Sequence, residues 1–160
     1  MNNEFLMKEV CIVGVQNDFF YHTMIKPPTS YDKLSKEFRK RIDFVTRYIH
    51  GICWDWGLTD EHDVTTKLKS TLKTADKVYI KGSERVAFLE QLLERPVIDL
   101  DIFNYQGKHR IDQDKYLGCA FLHADRYSRL RCAEKKALVY RDFLCLNLEK
   151  KKIYSFKIVN

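Results

Sequence analysis

Short apolar segments rich in β-forming residues alternate along this chain with longer segments of helical periodicity, and this alternation constrains the fold more than any other feature. Val10–Val15 (VCIVGV) predicts a buried strand, and Phe19–Ile25 predicts a second strand close behind it. Apolar residues then recur at about every third or fourth position from Leu34 to Ile49, which is typical of one long amphipathic helix. Ser30 is the predicted cap of this helix, and Gly51 is its predicted end.

The second half of the chain continues the alternation. The predicted elements are a helix capped by Asp60 with Val64, Leu68 and Leu72 inward, a strand at Lys77–Ile80, a helix from Ser83 with Val86, Leu89 and Leu93 inward, a strand at Val97–Leu100, a long helix from Ser128 to Leu148 and an edge strand at Ile153–Val159. Strands that alternate with helices favour a partly parallel sheet with helices packed against it. Because 160 residues suit one core, we predict a single α/β domain over residues 1–160.

The composition excludes several classes of protein. Hydrophobic residues make up 45% of the chain, which supplies a packed core and argues against intrinsic disorder. No apolar run approaches the ~20 residues of a membrane span, and the N-terminus lacks the apolar segment of a signal peptide. Five widely spaced cysteines do not resemble a disulfide framework. We therefore expect reduced thiols, with Cys11 and Cys53 in the core, no membrane partner, and a cytoplasmic or nuclear location.

Basic residues exceed acidic ones, which favours polyanionic partners. The net charge is +6, from 28 Lys and Arg against 22 Asp and Glu. The candidate nucleic-acid-binding residues are Lys36, Arg39 and Lys40 on the first helix, Lys81 after the third strand, and Arg126, Tyr127, Arg129, Arg131 and Lys135 around the start of the last helix. Arginines interleaved with an aromatic ring suit phosphate contact and base stacking. A solvated helix face is the simpler interpretation of the same charges.

Cysteine and histidine cluster in one polar segment. His109, Cys119, His123 and Cys132 supply the kinds of donor that a tetrahedral zinc site needs. The spacing lacks the CxxC pair of standard zinc fingers, so the fourth ligand stays open between His109 and Cys145. A structural zinc would order this polar segment. The alternative is that Cys119 and Cys132 are buried thiols without a metal.

Several of these residues also form a family pattern. Val78-Tyr79-Ile80-Lys81-Gly82 leads into a helix, Val97-Ile98-Asp99-Leu100-Asp101 follows, and then come Cys119, His123 and Cys132-Ala133. With the element order, this arrangement resembles uncharacterised proteins of arthropods and their mobile elements or viruses, which carry a degenerate RNase H-like pattern of the DnaQ exonuclease type. The resemblance covers roughly residues 8 to 148. It implies an RNase H-like mixed sheet with flanking helices.

The resemblance also indicates which catalytic groups the chain lacks. Exonucleases of this fold hold two divalent ions with four carboxylates, but here Gly14-Val15-Gln16, Val86 and Ser128 stand at the expected positions. It therefore implies a module that binds RNA or DNA and is not an efficient nuclease. Two alternatives stay open. One is a protein-interaction module that uses the aromatic connection Ile52–Leu58, or a helix. The other is a Mg- or Mn-dependent 3′-to-5′ exonuclease with carboxylates shifted to Asp18, Asp99, Asp101 or Asp125.

Overall fold

A computed structural model of the chain describes residues 6–103, 116, 119, 123 and 132–155. Helices and small sheets occur together, as expected for an α/β protein, in two compact units. The larger one, here called the discontinuous unit, contains residues 8–58, 116, 119, 123 and 132–155. The smaller one, the inserted unit, contains residues 6–7 and 59–103.

The elements follow the order predicted from the sequence up to the last helix. They are β1 (Glu9–Val13), β2 (Phe20–Met24), α1 (Lys36–Val45), α2 (Glu61–Lys73), β3 (Tyr79–Ile80), α3 (Ser83–Leu93), β4 (Ile98–Asp99) and α4 (Ala133–Ser155), with 3₁₀ turns at Tyr31–Lys33 and Leu100–Phe103 and a π-helical turn at Thr46–His50. The described strands form two sheets of two strands each, β1 antiparallel to β2 and β3 parallel to β4. The single RNase H-like sheet stays a prediction.

The discontinuous unit is built on the β1–β2 hairpin. Glu9 lies opposite Met24, and Cys11 lies opposite His22. Because side chains alternate between the two sides of a strand, these four share one side of the hairpin. α4 packs against β1 and buries Val139, Phe143 and Leu144 in the same unit. The hairpin and α4 therefore form the framework that positions the residues described in the next subsection.

The helix α1 begins later than the sequence predicts, and the π-helical turn that continues it ends at the predicted Gly51. Ser30 precedes the 3₁₀ turn, whereas the Ser35 hydroxyl accepts the Phe38 N–H at 3.2 Å and caps α1. After Val45 the chain continues as the π-helical turn, which is closed by the Gly51 N–H and the Thr46 carbonyl at 2.9 Å. Gly51 takes a left-handed φ of 68°, a conformation that suits glycine.

The inserted unit is a helix followed by a parallel strand–helix–strand motif. α2 buries Val64, Leu68 and Leu72, which confirms the predicted inward side of that helix. Tyr79 on β3 lies opposite Ile98 on β4, and α3 connects the two strands. Since a parallel pair needs a crossover connection, the helix between the two short strands is what allows them to pair.

Three expectations about packing and the C-terminus are wrong. Cys53 is exposed, because it lies in a turn whose backbone carbonyl accepts the Trp56 N–H at 3.2 Å. The apolar stripe of the first helix does not stay buried to its end, since Val45 is 36% and Ile49 37% exposed. Residues 153–155 continue α4 and form no strand, while residues 156–160 lie outside the described part of the chain. No helix among the described residues combines the length and apolarity needed to cross a membrane.

Candidate metal centre

Four side chains of metal-binding type converge where β1 and α4 begin. Glu9, Cys119, His123 and Cys132 each offer one donor atom, and these atoms all lie within 4.8 Å of one another. The two sulfurs are 3.1 Å apart, and Oε1 of Glu9 lies 3.1 Å from the Cys119 sulfur and 3.4 Å from the Cys132 sulfur. Nε2 of His123 lies 3.6 Å from Oε2 of Glu9. These four residues are hereafter called the metal centre.

The separations suit a tetrahedral zinc ion. With zinc–ligand bonds of about 2.0–2.3 Å, tetrahedral geometry puts neighbouring donor atoms about 3.3–3.8 Å apart. The four separations given above run from 3.1 to 3.6 Å, and all donor atoms lie within 4.8 Å of one another, so side-chain adjustments of about 1 Å reach that geometry. Two sulfurs, one imidazole nitrogen and one carboxylate oxygen are also ligands that zinc accepts.

Glu9 and Cys132 are positioned by the start of α4. Oε2 of Glu9 accepts the N–H of Ala133, the first residue of that helix, at 2.8 Å. Cys132 immediately precedes the helix, and its carbonyl accepts the Lys136 N–H at 3.1 Å. A helix N-terminus presents unpaired N–H groups and partial positive charge, which favours a carboxylate and a thiolate at this place.

His123 presents a buried nitrogen that has no hydrogen-bond partner. Its Nδ1 donates to the His50 carbonyl, which fixes the ring and directs Nε2 towards the metal centre. The residue is 4% exposed, and among the described residues Nε2 finds no hydrogen-bond partner. Because buried polar atoms are nearly always satisfied, this nitrogen, which faces two sulfurs and a carboxylate, is placed where it could bind a metal ion.

His22 supports the carboxylate from the neighbouring strand. Its Nε2 lies 2.9 Å from Oε1 of Glu9, a diagonal contact across the hairpin. This contact with Glu9 raises the pKa of His22. His22 also lies near Cys119 and Glu134 in a second group of metal-binding type. Since its ring is already engaged by Glu9, and the second group shares Cys119 with the first, His22 suits the role of an outer partner that orients a ligand.

The buried carboxylate is held in its charged form. Burial alone would raise the pKa of Glu9, but the adjacent His123 and His22 rings and the Ala133 N–H more than offset it and hold the pKa well below its usual range. The Glu9 side chain is only 7% exposed. A buried negative charge needs a positive partner, so this carboxylate demands a cation close by.

The thiols of Cys119 and Cys132 differ in pKa. Their mutual hydrogen bond lowers the pKa of Cys132 and raises that of Cys119, which places the shared proton on Cys119. Burial disfavours the charged form of His123, yet the Cys132 sulfur and Glu9 outweigh it and raise the pKa of His123 to about 10. The metal centre therefore concentrates negative charge around one positive position, which a proton on His123 or a metal ion can supply.

Sequence analysis identified three of these four residues. Cys119, His123 and Cys132 are brought together as the spacing suggested. Cys145 is not among them, because its sulfur lies 3.5 Å from the Val15 carbonyl, and His109 lies outside the described residues. Glu9 was missed, since no local motif links it to residues more than a hundred positions later. The available signal was an acidic residue at the start of an otherwise apolar strand.

The predicted nucleic-acid-binding residues are not gathered in one described place. Lys36 and Lys40 are exposed on α1, whereas Arg39 is half-buried and its Nε donates to the Leu34 carbonyl at 3.1 Å. Lys81 forms an ion pair with Asp101 in the inserted unit. Lys135 is 7% exposed, which leaves little of it accessible to a ligand. Arg126, Tyr127, Arg129 and Arg131 lie outside the described residues.

Comparison with known proteins gives no relative. No family model, curated protein sequence or solved structure matches the chain.

Proposed function

We propose that the chain binds one zinc ion through Glu9, Cys119, His123 and Cys132, and that this zinc is structural. The observation that carries the proposal is the convergence of four donor atoms within 4.8 Å of one another, one of them the buried Nε2 of His123, which lies 3.6 Å from Glu9 and makes no hydrogen bond among the described residues. Zinc at that point would satisfy the nitrogen and balance the charges of Glu9 and Cys132. It would also join the start of β1, the start of α4 and the segment that contains Cys119 and His123.

The structural role follows from the number of protein ligands and from their burial. A catalytic zinc keeps one position open for water or substrate, whereas a structural zinc has four protein ligands. Here four protein donors converge, and His123 and Cys132 are 4% and 1% exposed. A closed site of this kind contributes to folding instead of activating water.

Native mass spectrometry of the purified protein tests the proposal. We expect one zinc per chain in the wild type, none in Cys132→Ser, and one in the control Cys145→Ser, whose thiol lies outside the metal centre. If Cys132→Ser does not fold, cobalt substitution of the wild type replaces it. Cobalt in this site should give the visible spectrum of a tetrahedral ion with two thiolate ligands. Absence of metal from the wild type, or an octahedral cobalt spectrum, contradicts the proposal.

We further propose that the chain is an RNase H-like module that binds RNA or DNA. Support comes from the net charge of +6, the exposed Lys36 and Lys40 on α1, and the family resemblance. Gln16, in place of a carboxylate, favours binding over cleavage. Among the described residues, neither group of metal-binding type contains two carboxylates.

Labelled RNA and DNA, single- and double-stranded, test this second proposal. The protein is incubated with each in manganese and in EDTA, and the products are run on native and denaturing gels. We expect a shift without shortening, and a binding constant that falls steeply with added salt, because phosphate contacts release counterions. Manganese-dependent shortening would favour the exonuclease alternative. A complete lack of binding would overturn the proposal.

A further inference from the structure

We infer that one exposed side of α1 and the π-helical turn binds single-stranded nucleic acid by stacking bases on two aromatic rings. This surface, hereafter the α1 stacking surface, consists of Lys40, Arg41, Phe44, Arg47 and Tyr48. The inference rests on the proposed nucleic-acid-binding function and names the residues and the strandedness of the ligand. It adds to the basic side of the first helix two aromatic rings, Phe44 and Tyr48, that sequence analysis had left out.

Two aromatic rings of this surface are open to solvent. Phe44 is 57% exposed and Tyr48 is 59% exposed. Their ring centroids are 5.1 Å apart at an interplanar angle of 47°, one helical turn from each other. Phe20 and Trp56 are also about half exposed, but Phe44 and Tyr48 are more exposed than either and lie in contact with each other. Bases of a single strand stack on such rings without regard to sequence.

Positive charge surrounds the two rings. The Arg47 guanidinium lies 5.5 Å from the centroid of Tyr48, in a cation–π contact. Lys40 and Arg41 precede Phe44 by one helical turn, and both are exposed. An aromatic pair flanked by lysine and arginine matches a ligand that offers bases and phosphates together. A surface for an apolar partner helix would not need a cation beside each ring.

The nearby acidic residues weaken this charge only in part. Asp43 lies in the same helix, but its carboxylate already accepts the Tyr31 hydroxyl at 2.7 and 2.8 Å. Glu37 is exposed and is the remaining acidic side chain of α1. The Tyr31 hydroxyl is neutral and leaves the charge of Asp43 in place, so the three cations of the surface face two carboxylates and the local charge stays positive, as a phosphate backbone requires.

The α1 stacking surface faces away from the buried side of the helix. Ile42 is the last buried residue of α1, and Phe44 follows it by two residues, which corresponds to about 200° around the helix axis. The π-helical turn begins four residues after Ile42 and adds a residue to the turn, so it shifts the side chains that follow. Ile49, which the regular periodicity places inward, lies in this turn and is 37% exposed, and the Tyr48 ring lies beside Phe44.

Fluorescence anisotropy with a labelled oligothymidylate about ten nucleotides long tests the inference, since that length lies within the range a single binding surface covers. We expect Phe44→Ala and Tyr48→Ala each to weaken binding about tenfold, because a stacked base contributes that much. Tyr48→Phe keeps the ring and should bind within about twofold of the wild type. Arg47→Gln should reduce the salt dependence of binding. The control is Lys69→Gln, which removes the same charge from an exposed position on α2 and should bind like the wild type.

The outcomes separate this inference from the function on which it rests. If the wild type binds and neither alanine variant is weakened, the stacking surface is wrong while nucleic-acid binding stands. If the wild type binds no oligonucleotide in anisotropy or in the gels, both fall, and a protein partner becomes the better hypothesis for this side of α1. If duplex binds better than single strand and the alanine variants lose duplex binding equally, stacking is overturned. Circular dichroism and zinc content should be unchanged in every variant, because both rings are more than half exposed.

Discussion

Two polar clusters in this molecule place a carboxylate beside the start of a helix, and they differ in the groups that surround the carboxylate. In the discontinuous unit, Glu9 accepts the Ala133 N–H of α4 at 2.8 Å and also faces two sulfurs and His123. In the inserted unit, Asp99 accepts the Gly82 N–H, next to α3, at 3.2 Å and the Asp101 N–H at 3.0 Å. The first cluster is buried and, as far as the described residues go, it alone of the two contains a buried side-chain atom without a hydrogen bond.

The difference shows that a carboxylate at a helix N-terminus is not by itself a sign of a site. The bonds from Gly82 and Asp101 lower the pKa of Asp99 and fix the turn after β4. Lys81 pairs with Asp101 beside it, and the exposed carboxylate of Asp99 is served by the two backbone N–H groups. Around Glu9, by contrast, two sulfurs and the His123 nitrogen converge, and that buried nitrogen has no hydrogen bond within the described part of the chain. The proposed zinc would complete that arrangement, whereas the bonds that Asp99 accepts already serve its carboxylate.

Removal of zinc should change the free energy of unfolding more than any other treatment, and the change should be confined to the discontinuous unit. With free zinc a thousandfold above its dissociation constant, binding adds about 4 kcal/mol to the free energy of unfolding, which a chelator removes. Hydrogen exchange should then rise in β1, in the first turn of α4 and around His50, whose carbonyl orients His123. Exchange in α2 and α3 should change little. Equal exchange with and without chelator would break the comparison.

The second prediction concerns pH. At pH 7 His123, with a pKa raised to about 10, and Cys119, with its pKa raised, both carry protons that zinc must displace. Zinc binding should therefore release about two protons, and the affinity should fall about a hundredfold for each unit of decreasing pH near neutrality. Calorimetry in buffers of different ionisation enthalpy measures the release. A value near zero would mean that the ligands are already deprotonated, or that zinc binds elsewhere.

The pattern of successes in sequence analysis has a physical basis. Elements whose signals are local were predicted well: Val64, Leu68 and Leu72 are buried at helical spacing, and Gly51 ends its helix. Cys119, His123 and Cys132 lie close together in sequence and share one chemistry, so composition alone grouped them. These signals need only a few neighbouring residues to be read.

The failures required knowledge of contacts between distant residues. Glu9 joins the metal centre only because β1 and α4 pack together, and no spacing encodes that contact. Ile49 is 37% exposed within the π-helical turn, and the periodicity of apolar residues does not reveal that turn. Cys53 has apolar neighbours in sequence, yet the turn at Cys53–Trp56 directs it outward.

A third prediction sharpens the comparison at the outer partner of the carboxylate. His22→Gln keeps a side chain of similar size but removes the imidazole that lies 2.9 Å from Glu9. Since outer partners orient a ligand without binding the metal, zinc affinity should fall about tenfold, with the stoichiometry unchanged. Competition with a zinc-binding dye measures the affinity. A loss of zinc altogether would make His22 a direct ligand and would favour the group that it forms with Cys119 and Glu134.

The smallest effect is expected on the other side of the comparison, for Asp99→Asn. Asparagine removes the negative charge but keeps an oxygen that can accept the Gly82 and Asp101 N–H groups, so the turn after β4 should persist. The unfolding midpoint should move by no more than about 2 °C, as for most exposed substitutions, and zinc stoichiometry should be unchanged. Thermal unfolding and native mass spectrometry measure both quantities. Loss of zinc in Asp99→Asn would show that the Asp99 carboxylate also takes part in metal binding. The contrast with Glu9 would then fail, because a carboxylate whose bonds are all internal would have proved to be a ligand.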